Sequence, residues 1–104
     1  GITFLSRERW NAAMDELMVD LPWHTRRANV LVEGLDLAPL IGRRVRLGDV
    51  EVDIRGETHP CARMDALYEG LRRALEPDCR GGVYGQVVRG GTFRVGDDLV
   101  VLDF

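Results

Sequence analysis

The sequence contains no lysine, so all 14 of its basic residues are arginine. The absence of lysine excludes a Schiff base, and with it pyridoxal phosphate held in that way, as well as the phosphate-binding lysine of a Walker-type loop. Two explanations remain for the use of arginine in place of lysine. A GC-rich genome favours arginine codons, whereas planar guanidinium groups also suit an anionic or phosphorylated ligand.

Long apolar runs and surplus positive charge are also missing. No run approaches the roughly 20 residues that span a bilayer, and the net charge of -3 disfavours a nucleic-acid binder. The first ten residues lack the basic start, apolar centre and cleavage site of a secretory signal. We therefore expect residues 1–104 to form one cytoplasmic domain, with neither a membrane nor a nucleic acid as partner.

Cysteine is scarce, with Cys61 and Cys79 the only two in the chain. In a reducing compartment both are expected to be free thiols. They do not form a C-x-x-C pair, which argues against a zinc site.

The first recognisable element is a short strand at residues 2–5 followed by a helix. Ser6 is a good helix cap, and Glu8 lies in the first turn, where the helix dipole favours negative charge. The apolar residues that follow have helical spacing and predict one core-facing stripe. These residues are Trp10, Ala13, Met14, Leu17 and Met18.

Strand patterns dominate the rest of the chain. Residues 28–33 form a β-branched run that predicts a strand. In residues 44–55, apolar and charged residues alternate strictly on both sides of Gly48-Asp49, which predicts a hairpin with its charges on the solvated face. Residues 64–75 are helical in spacing but interrupted at Gly70. Residues 81–102 predict short strands between Gly-Gly and Gly-Asp turns. The expected fold is mainly β, with two or three short helices and a sheet closed or nearly closed, so that its edges are hidden.

Cys61 is the main candidate for chemistry. Proline is favoured in the first turn of a helix, so Pro60 would place the Cys61 thiol in the field of the unpaired backbone N–H groups there. Arg63 adds positive charge. Both effects favour the thiolate, the form that binds metals and attacks electrophiles. His59 is the nearest possible base. The alternative is a small buried packing residue.

A second candidate group precedes the middle strand. Arg26 and Arg27 could hold an anion bidentately while the amide of Asn29 contacts a polar ring edge. The alternative is a solvated arginine pair at the start of a strand.

The order of several segments resembles the MOSC domain, the module named after the C-terminal part of molybdenum cofactor sulfurase. The resemblance covers nearly the whole chain. It rests on five segments: I-T-F-L-S-R-E-R-W at the start, R-R-A-N-V-L-V-E-G-L-D-L at 26–37, I-G-R-R-V-R-L-G-D-V-E-V at 41–52, G-E-T-H-P-C-A-R-M-D at 56–65, and R-G-G-V-Y-G-Q-V-V-R-G-G-T-F-R-V-G-D at 80–97.

The resemblance implies a β-barrel related to the one inserted in pyruvate kinases, with the family's hallmark cysteine at Cys61. In relatives that reduce N-hydroxylated compounds, such as the mitochondrial amidoxime-reducing component and small bacterial proteins acting on hydroxylaminopurine, that cysteine is a molybdenum ligand. The family's Arg-x-Asn segment corresponds to Arg27 and Asn29, and His59 and Arg63 are expected around the pterin phosphate or the substrate.

The implied function is binding of the molybdenum cofactor (molybdopterin) and reduction of an N–O bond in a small-molecule substrate. A variant has Cys61 carrying sulfur as a persulfide. The implied partner is an electron-transfer or sulfur-donor protein. The rival hypothesis is a non-catalytic barrel module that binds a small anion or a protein partner without metal.

Members of this family usually begin several tens of residues earlier, with strands that help close the barrel. The chain is then a fragment, a shortened form, or a naturally short protein completed by a second chain, which would make a homodimer.

Overall fold

The structure, a computed structural model, describes residues 1–102. The strands are β1 (Ile2–Ser6), β2 (Val30–Val32), β3 (Arg44–Leu47), β4 (Val50–Glu57), β5 (Val83–Arg89) and β6 (Leu99–Leu102). The helices are α1 (Arg7–Leu17), α2 (Arg63–Leu67) and α3 (Leu71–Ala74), with short 3₁₀ turns at Trp23–Arg26, Ala38–Leu40 and Pro77–Cys79. The prediction of a mainly β fold with two or three short helices is confirmed.

Helix α1 begins where its capping residue predicts. The Ser6 hydroxyl accepts a hydrogen bond from the backbone N–H of Arg9 at 3.2 Å, and Glu8 lies in the first turn. The helix ends when Met18 takes a left-handed conformation and its N–H turns back to the carbonyls of Asp15 and Met14. This reversal leaves the Met18 side chain 92% exposed, so its predicted place in the core stripe is wrong.

The six strands form one sheet in the order β2-β1-β5-β4-β3-β6. β1 and β2 are parallel and are connected through α1, whereas the other neighbours are antiparallel. β5 lies between β1 and β4 and so joins the two halves of the sheet.

The predicted hairpin is present as β3 and β4, with Gly48 at a positive φ of 57° in its turn. Across it, Arg44 binds Asp53 through two parallel hydrogen bonds of 2.6 and 3.0 Å. This fork holds the pKa of Asp53 below and that of Arg44 above its usual range. The charges of the hairpin therefore pair on the sheet surface.

Two groups of apolar side chains lie on opposite sides of β1. The sheet core includes Phe4, Leu37, Val45, Val52, Ile54 and Val83. The helix core includes Leu5, Trp10, Ala13, Met14, Leu71 and Leu75. Phe4 and Leu5 are neighbours on a strand, so they point to opposite faces and bury β1 on both sides.

The last part of the chain departs from the prediction. Residues 92–95, expected as a short strand, have no regular structure because they cross the tip of the β3–β4 hairpin. There the N–H of Asp49 donates to the carbonyl of Thr92 at 3.0 Å, and the N–H of Arg94 donates to the Asp97 carboxylate at 2.8 Å. These contacts use backbone groups that a strand would need.

The sheet does not close on itself within residues 1–102. β2 and β6 are its two edges, and they are not paired with each other, so the sheet is a curled half-barrel. Full closure is not reached among these residues, because it requires the last strand to pair with the first. Across residues 1–102, the structure contains no helix with the length and apolarity needed to traverse a membrane.

Candidate functional site

Cys61 lies in the segment that connects β4 to α2. The backbone N–H of Thr58 donates to the carbonyl of Gly82 at 2.8 Å, and the carbonyl of Cys61 accepts from the N–H of Met64 at 2.9 Å. The Cys61 side chain is exposed and its thiol is free. The residue is therefore not the buried packing cysteine that the sequence left as an alternative.

The helix that follows differs from the prediction. It begins at Arg63, two residues after Cys61, and spans only five residues. Ala62 precedes it without a side-chain cap. A helix of this length has only a small dipole to favour a thiolate. It therefore contributes less positive potential at Cys61 than the helix predicted from Pro60 would.

The arginine that contacts the Cys61 segment is Arg26. Its Nη2 donates to the carbonyl of Thr58 at 3.3 Å. Burial lowers the pKa of this guanidinium, and the negative charge of the Cys61 thiolate opposes that shift. Within residues 1–102, Arg26 Nε and Thr58 Oγ1 are buried without a hydrogen-bond partner.

Arg26 was part of a predicted pair, but the residue assigned to the cofactor was Arg27. Arg27 lies at the end of the 3₁₀ turn in a left-handed conformation with φ of 63°, and its side chain is exposed. Local sequence cannot show which of two adjacent arginines reaches a segment more than 30 residues further along the chain.

Asn29 has a structural partner. Its side-chain Oδ1 accepts hydrogen bonds from the backbone N–H of Thr3 at 2.9 Å and from the Thr3 hydroxyl at 3.2 Å. The backbone N–H of Asn29 donates to the same hydroxyl at 3.0 Å. These bonds join the start of β2 to β1. The side-chain amide oxygen of Asn29 is therefore already hydrogen-bonded to Thr3.

His59 and Arg63 are both exposed near Cys61 in the chain. His59 Nδ1 lies 3.5 Å from a carboxylate oxygen of Glu57, an ion pair when the imidazole is protonated. Arg63 is the first residue of α2.

Cys79 is the second free thiol and is buried, as part of the sheet core. Its Sγ donates a long hydrogen bond of 3.6 Å to the carbonyl of Gly82. Burial, followed by the negative charge of Glu57, raises the pKa of this thiol to about 11. The prediction that both cysteines are free thiols is consistent with these positions.

A cleft of about 680 Å³ separates the two edge regions of the sheet. One wall is residues 29–35, which include β2, and the other is residues 93–99, which lead into β6. Asn29 lines this cleft, but Cys61, Arg27, His59 and Arg63 do not. No sequence pattern predicted the cleft, although the exposed apolar residues Phe93 and Val95 form part of one wall.

Residues 2–100 match the family model of the MOSC domain. The chain belongs to the MOSC domain family. The resemblance drawn from the five segments is thereby confirmed. No curated protein gives a significant match to this MOSC domain.

Three solved structures share the fold of this MOSC domain. The YUAD protein from Bacillus subtilis is 24% identical with a TM-score of 0.81, and the match covers 96% of this chain and 62% of that one. YiiM from Geobacillus stearothermophilus is 18% identical with a TM-score of 0.86, covering 98% of this chain and 54% of that one. YiiM from Escherichia coli is 14% identical with a TM-score of 0.79, covering 99% and 54%.

At these sequence identities, the likeness to the three structures shows a shared fold and not a shared function. The MOSC domain described here spans between 54% and 62% of the length of those three structures.

Proposed function

We propose that this MOSC domain binds the molybdenum cofactor through the Cys61 thiolate and takes part in reducing N-hydroxylated small molecules. The observation that supports the proposal is the position of one exposed thiol. Cys61, which the resemblance assigns to the family's hallmark position, is exposed, whereas the other cysteine of the chain is buried.

The residues around Cys61 fit such a group. A thiolate is a soft ligand suited to this class of metal site. Among residues 1–102, no three His, Cys, Asp or Glu side chains are grouped as a metal site. A metal bound at Cys61 would therefore take fewer than three ligands from these side chains and its others from the cofactor. The unpartnered Arg26 Nε beside the segment is a donor suited to an anionic group.

The protein's part in the reaction is to bind and orient. When bound, the cofactor would supply two electrons, which with two protons convert an N–OH group to N–H and water. Arg27 and Arg63, both exposed, would bind the pterin phosphate or the substrate. His59, paired with Glu57, would supply a proton, and Asn29 would offer only its amide nitrogen, since its oxygen binds Thr3.

The remaining roles come from partners. The electrons would come from a separate electron-transfer protein. In the sulfur-carrying variant of this proposal, a sulfur-donor protein would load Cys61 as a persulfide. A cytoplasmic location, the absence of nucleic-acid and membrane partners, and a homodimer that completes the barrel stay predictions.

Elemental analysis of protein made in a host that synthesises the cofactor tests the proposal. We expect about one molybdenum per chain in the wild type, none in Cys61→Ser, and the wild-type content in Cys79→Ala, the matched control at the buried thiol. Metal retained in Cys61→Ser would contradict the proposal, as would a wild-type protein without molybdenum.

A second candidate function is a non-catalytic binding module. The cleft between β2 and residues 93–99 favours it, because this cavity is separate from the Cys61 segment. The bound group would be a small anion or a segment of a protein partner. Metal-free wild-type protein whose partner binding is unchanged in Cys61→Ser would support this candidate over the first.

A further inference from the structure

The outer face of the sheet is rich in arginine on β3, β4 and β5. Val45 and Val52 belong to the sheet core, so their neighbours along β3 and β4 point outward. The charged residues that these three strands point outward are four arginines and two carboxylates. They are Arg44, Arg46, Arg55, Arg89, Glu51 and Asp53. This face is therefore positive, although the chain as a whole has a net charge of -3.

The two carboxylates of this face are less accessible than its arginines. The side chains of Glu51 and Asp53 are 19% and 25% exposed, whereas that of Arg89 is 75% exposed. Both oxygens of Asp53 accept hydrogen bonds from Arg44, and one oxygen of Glu51 lies 3.4 Å from Arg89. A molecule that approaches from solvent therefore meets guanidinium groups before it meets carboxylates.

Two arginines of this face have no carboxylate bound to them. Arg55 donates to the neutral side-chain oxygen of Gln86 at 3.1 Å. Within residues 1–102, Arg46 is in no ion pair, because Glu51, which faces it across the hairpin, is bonded to Arg89. Adjacent strands are about 4.8 Å apart, so the backbone holds Arg46 and Arg89 about 10 Å apart, on either side of β4. The surplus positive charge is thus held at fixed positions on a rigid sheet.

Tyr84 adds an aromatic side chain to the same face. It lies on β5, is 46% exposed, and covers Gly56, where an added Cβ would lie 3.1, 3.2 and 3.3 Å from three atoms of the tyrosine side chain. Arginine and tyrosine are enriched in protein–protein interfaces. A guanidinium group also binds a carboxylate through two parallel hydrogen bonds. We call Arg46, Arg55, Arg89 and Tyr84 together the arginine face.

We propose that the arginine face is the docking surface for a partner protein that presents aspartate and glutamate side chains. A nucleic acid is a poorer match, because Glu51 and Asp53 lie among the arginines and would repel its phosphates. Arg55 is near the end of β4 that leads to Cys61, so the docked partner is at the same end of the sheet as the thiol. That this partner is the electron-transfer or sulfur-donor protein rests on the function proposed above, whereas the docking itself does not.

The probe is a decaglutamate peptide, titrated into nitrogen-15-labelled protein, with a serine peptide of the same length as its uncharged counterpart. NMR chemical shifts give both the affinity and the residues that respond. With the glutamate peptide alone, we expect saturable shifts on β3, β4 and β5. Raising the salt concentration from about 20 to about 200 mM should weaken the binding about tenfold, because the pairs are exposed to solvent.

Two double variants show whether the position of the charges matters. Arg46→Gln combined with Arg89→Gln removes two exposed arginines from the arginine face and should weaken binding about five- to thirtyfold. Arg72→Gln combined with Arg73→Gln is the matched control, because it removes two exposed arginines from α3. This control has the same net charge as the first double variant and should bind the peptide like the wild type.

Equal weakening in the two double variants would overturn the proposal, and so would the absence of binding at low salt. Tighter binding of a decathymidine oligonucleotide to the same strands would also overturn it, because the face would then be a nucleic-acid surface. Neither molybdenum nor the Cys61 thiol takes part in this assay. Its outcome is therefore separate from that of the function proposed above.

Discussion

The two cysteines of the chain lie on either side of one backbone contact and have opposite surroundings. Thr58 and Gly82 are hydrogen-bonded to each other, Cys61 follows Thr58 by three residues, and Cys79 precedes Gly82 by three. Cys61 is exposed, whereas Cys79 is 9% exposed and belongs to the sheet core. The same functional group therefore differs in access because of where the backbone places it.

The backbone around Cys79 is also more constrained. Asp78 and Cys79 have positive φ angles of 56° and 57°, which non-glycine residues rarely adopt and which cost about 1–3 kcal/mol each. Packing must offset that cost, and the burial of Cys79 in the sheet core contributes to it. The Cys61 segment carries no positive φ angle.

Alkylation of the native protein sharpens this comparison most. At pH 8 we expect iodoacetamide to modify Cys61 roughly 100-fold faster than Cys79, since Cys79 is buried and its pKa is raised to about 11. Mass spectrometry of the two cysteine peptides gives both rates. In denaturant the two should react alike, and equal rates in the native protein would contradict the structure.

Gly82→Ala should break the turn that carries Cys79. A Cβ at this position would collide with the carbonyl oxygen of Phe4, at a backbone φ of 90°. We expect the free energy of unfolding to fall by about 3 kcal/mol or more in a urea titration.

Gly34→Ala is the matched control for that substitution. Gly34 also has a positive φ, of 74°, but a Cβ there meets nothing within 4 Å. Its cost should be about 1 kcal/mol, from backbone strain alone. Equal losses in the two variants would show that the Phe4 contact is not the cause.

The alkaline pH dependence of stability gives a smaller effect than Gly82→Ala. The pKa of Cys79 is raised from 9.0, the value of an unperturbed thiol, to about 11 in the folded chain. Its contribution is therefore fully present below about pH 9 and is lost as the pH rises towards 11. Over that window we expect the wild type to lose about 2 kcal/mol more than Cys79→Ala does.

Thermal or urea unfolding at several pH values measures this difference. The tyrosines, present in both proteins, cancel. A Cys79→Ala protein with the same slope as the wild type would contradict the raised pKa.

Local signals account for the parts of the fold that the sequence predicted. The Ser6 cap, the strict alternation around Gly48 and the break at Gly70 each depend on a few neighbouring residues, and each is present in the structure. Met18 was placed wrongly because helical spacing continues through it while the backbone reverses there. Residues 92–95 were placed wrongly because the Thr92 carbonyl bonds to the distant hairpin and the Arg94 backbone bonds to Asp97.

The candidate site was only partly predictable for the same reason. Cys61 was found from its neighbours Pro60 and Arg63 and from the family pattern. The hydrogen bond from Arg26 to Thr58, three residues before Cys61, joins a turn and a strand that are far apart in the chain, so no spacing rule could indicate it. The cleft likewise depends on where two sheet edges come to lie.

The position of β5 has a consequence for synthesis of the chain. β1 and β4 are joined only through this strand, and its last residue is Arg89. During synthesis, the two halves of the sheet therefore cannot pair until nearly nine tenths of these 104 residues have been made. Until then, their apolar faces are exposed to solvent. Nascent chains stalled before that point should be the ones that most need a chaperone.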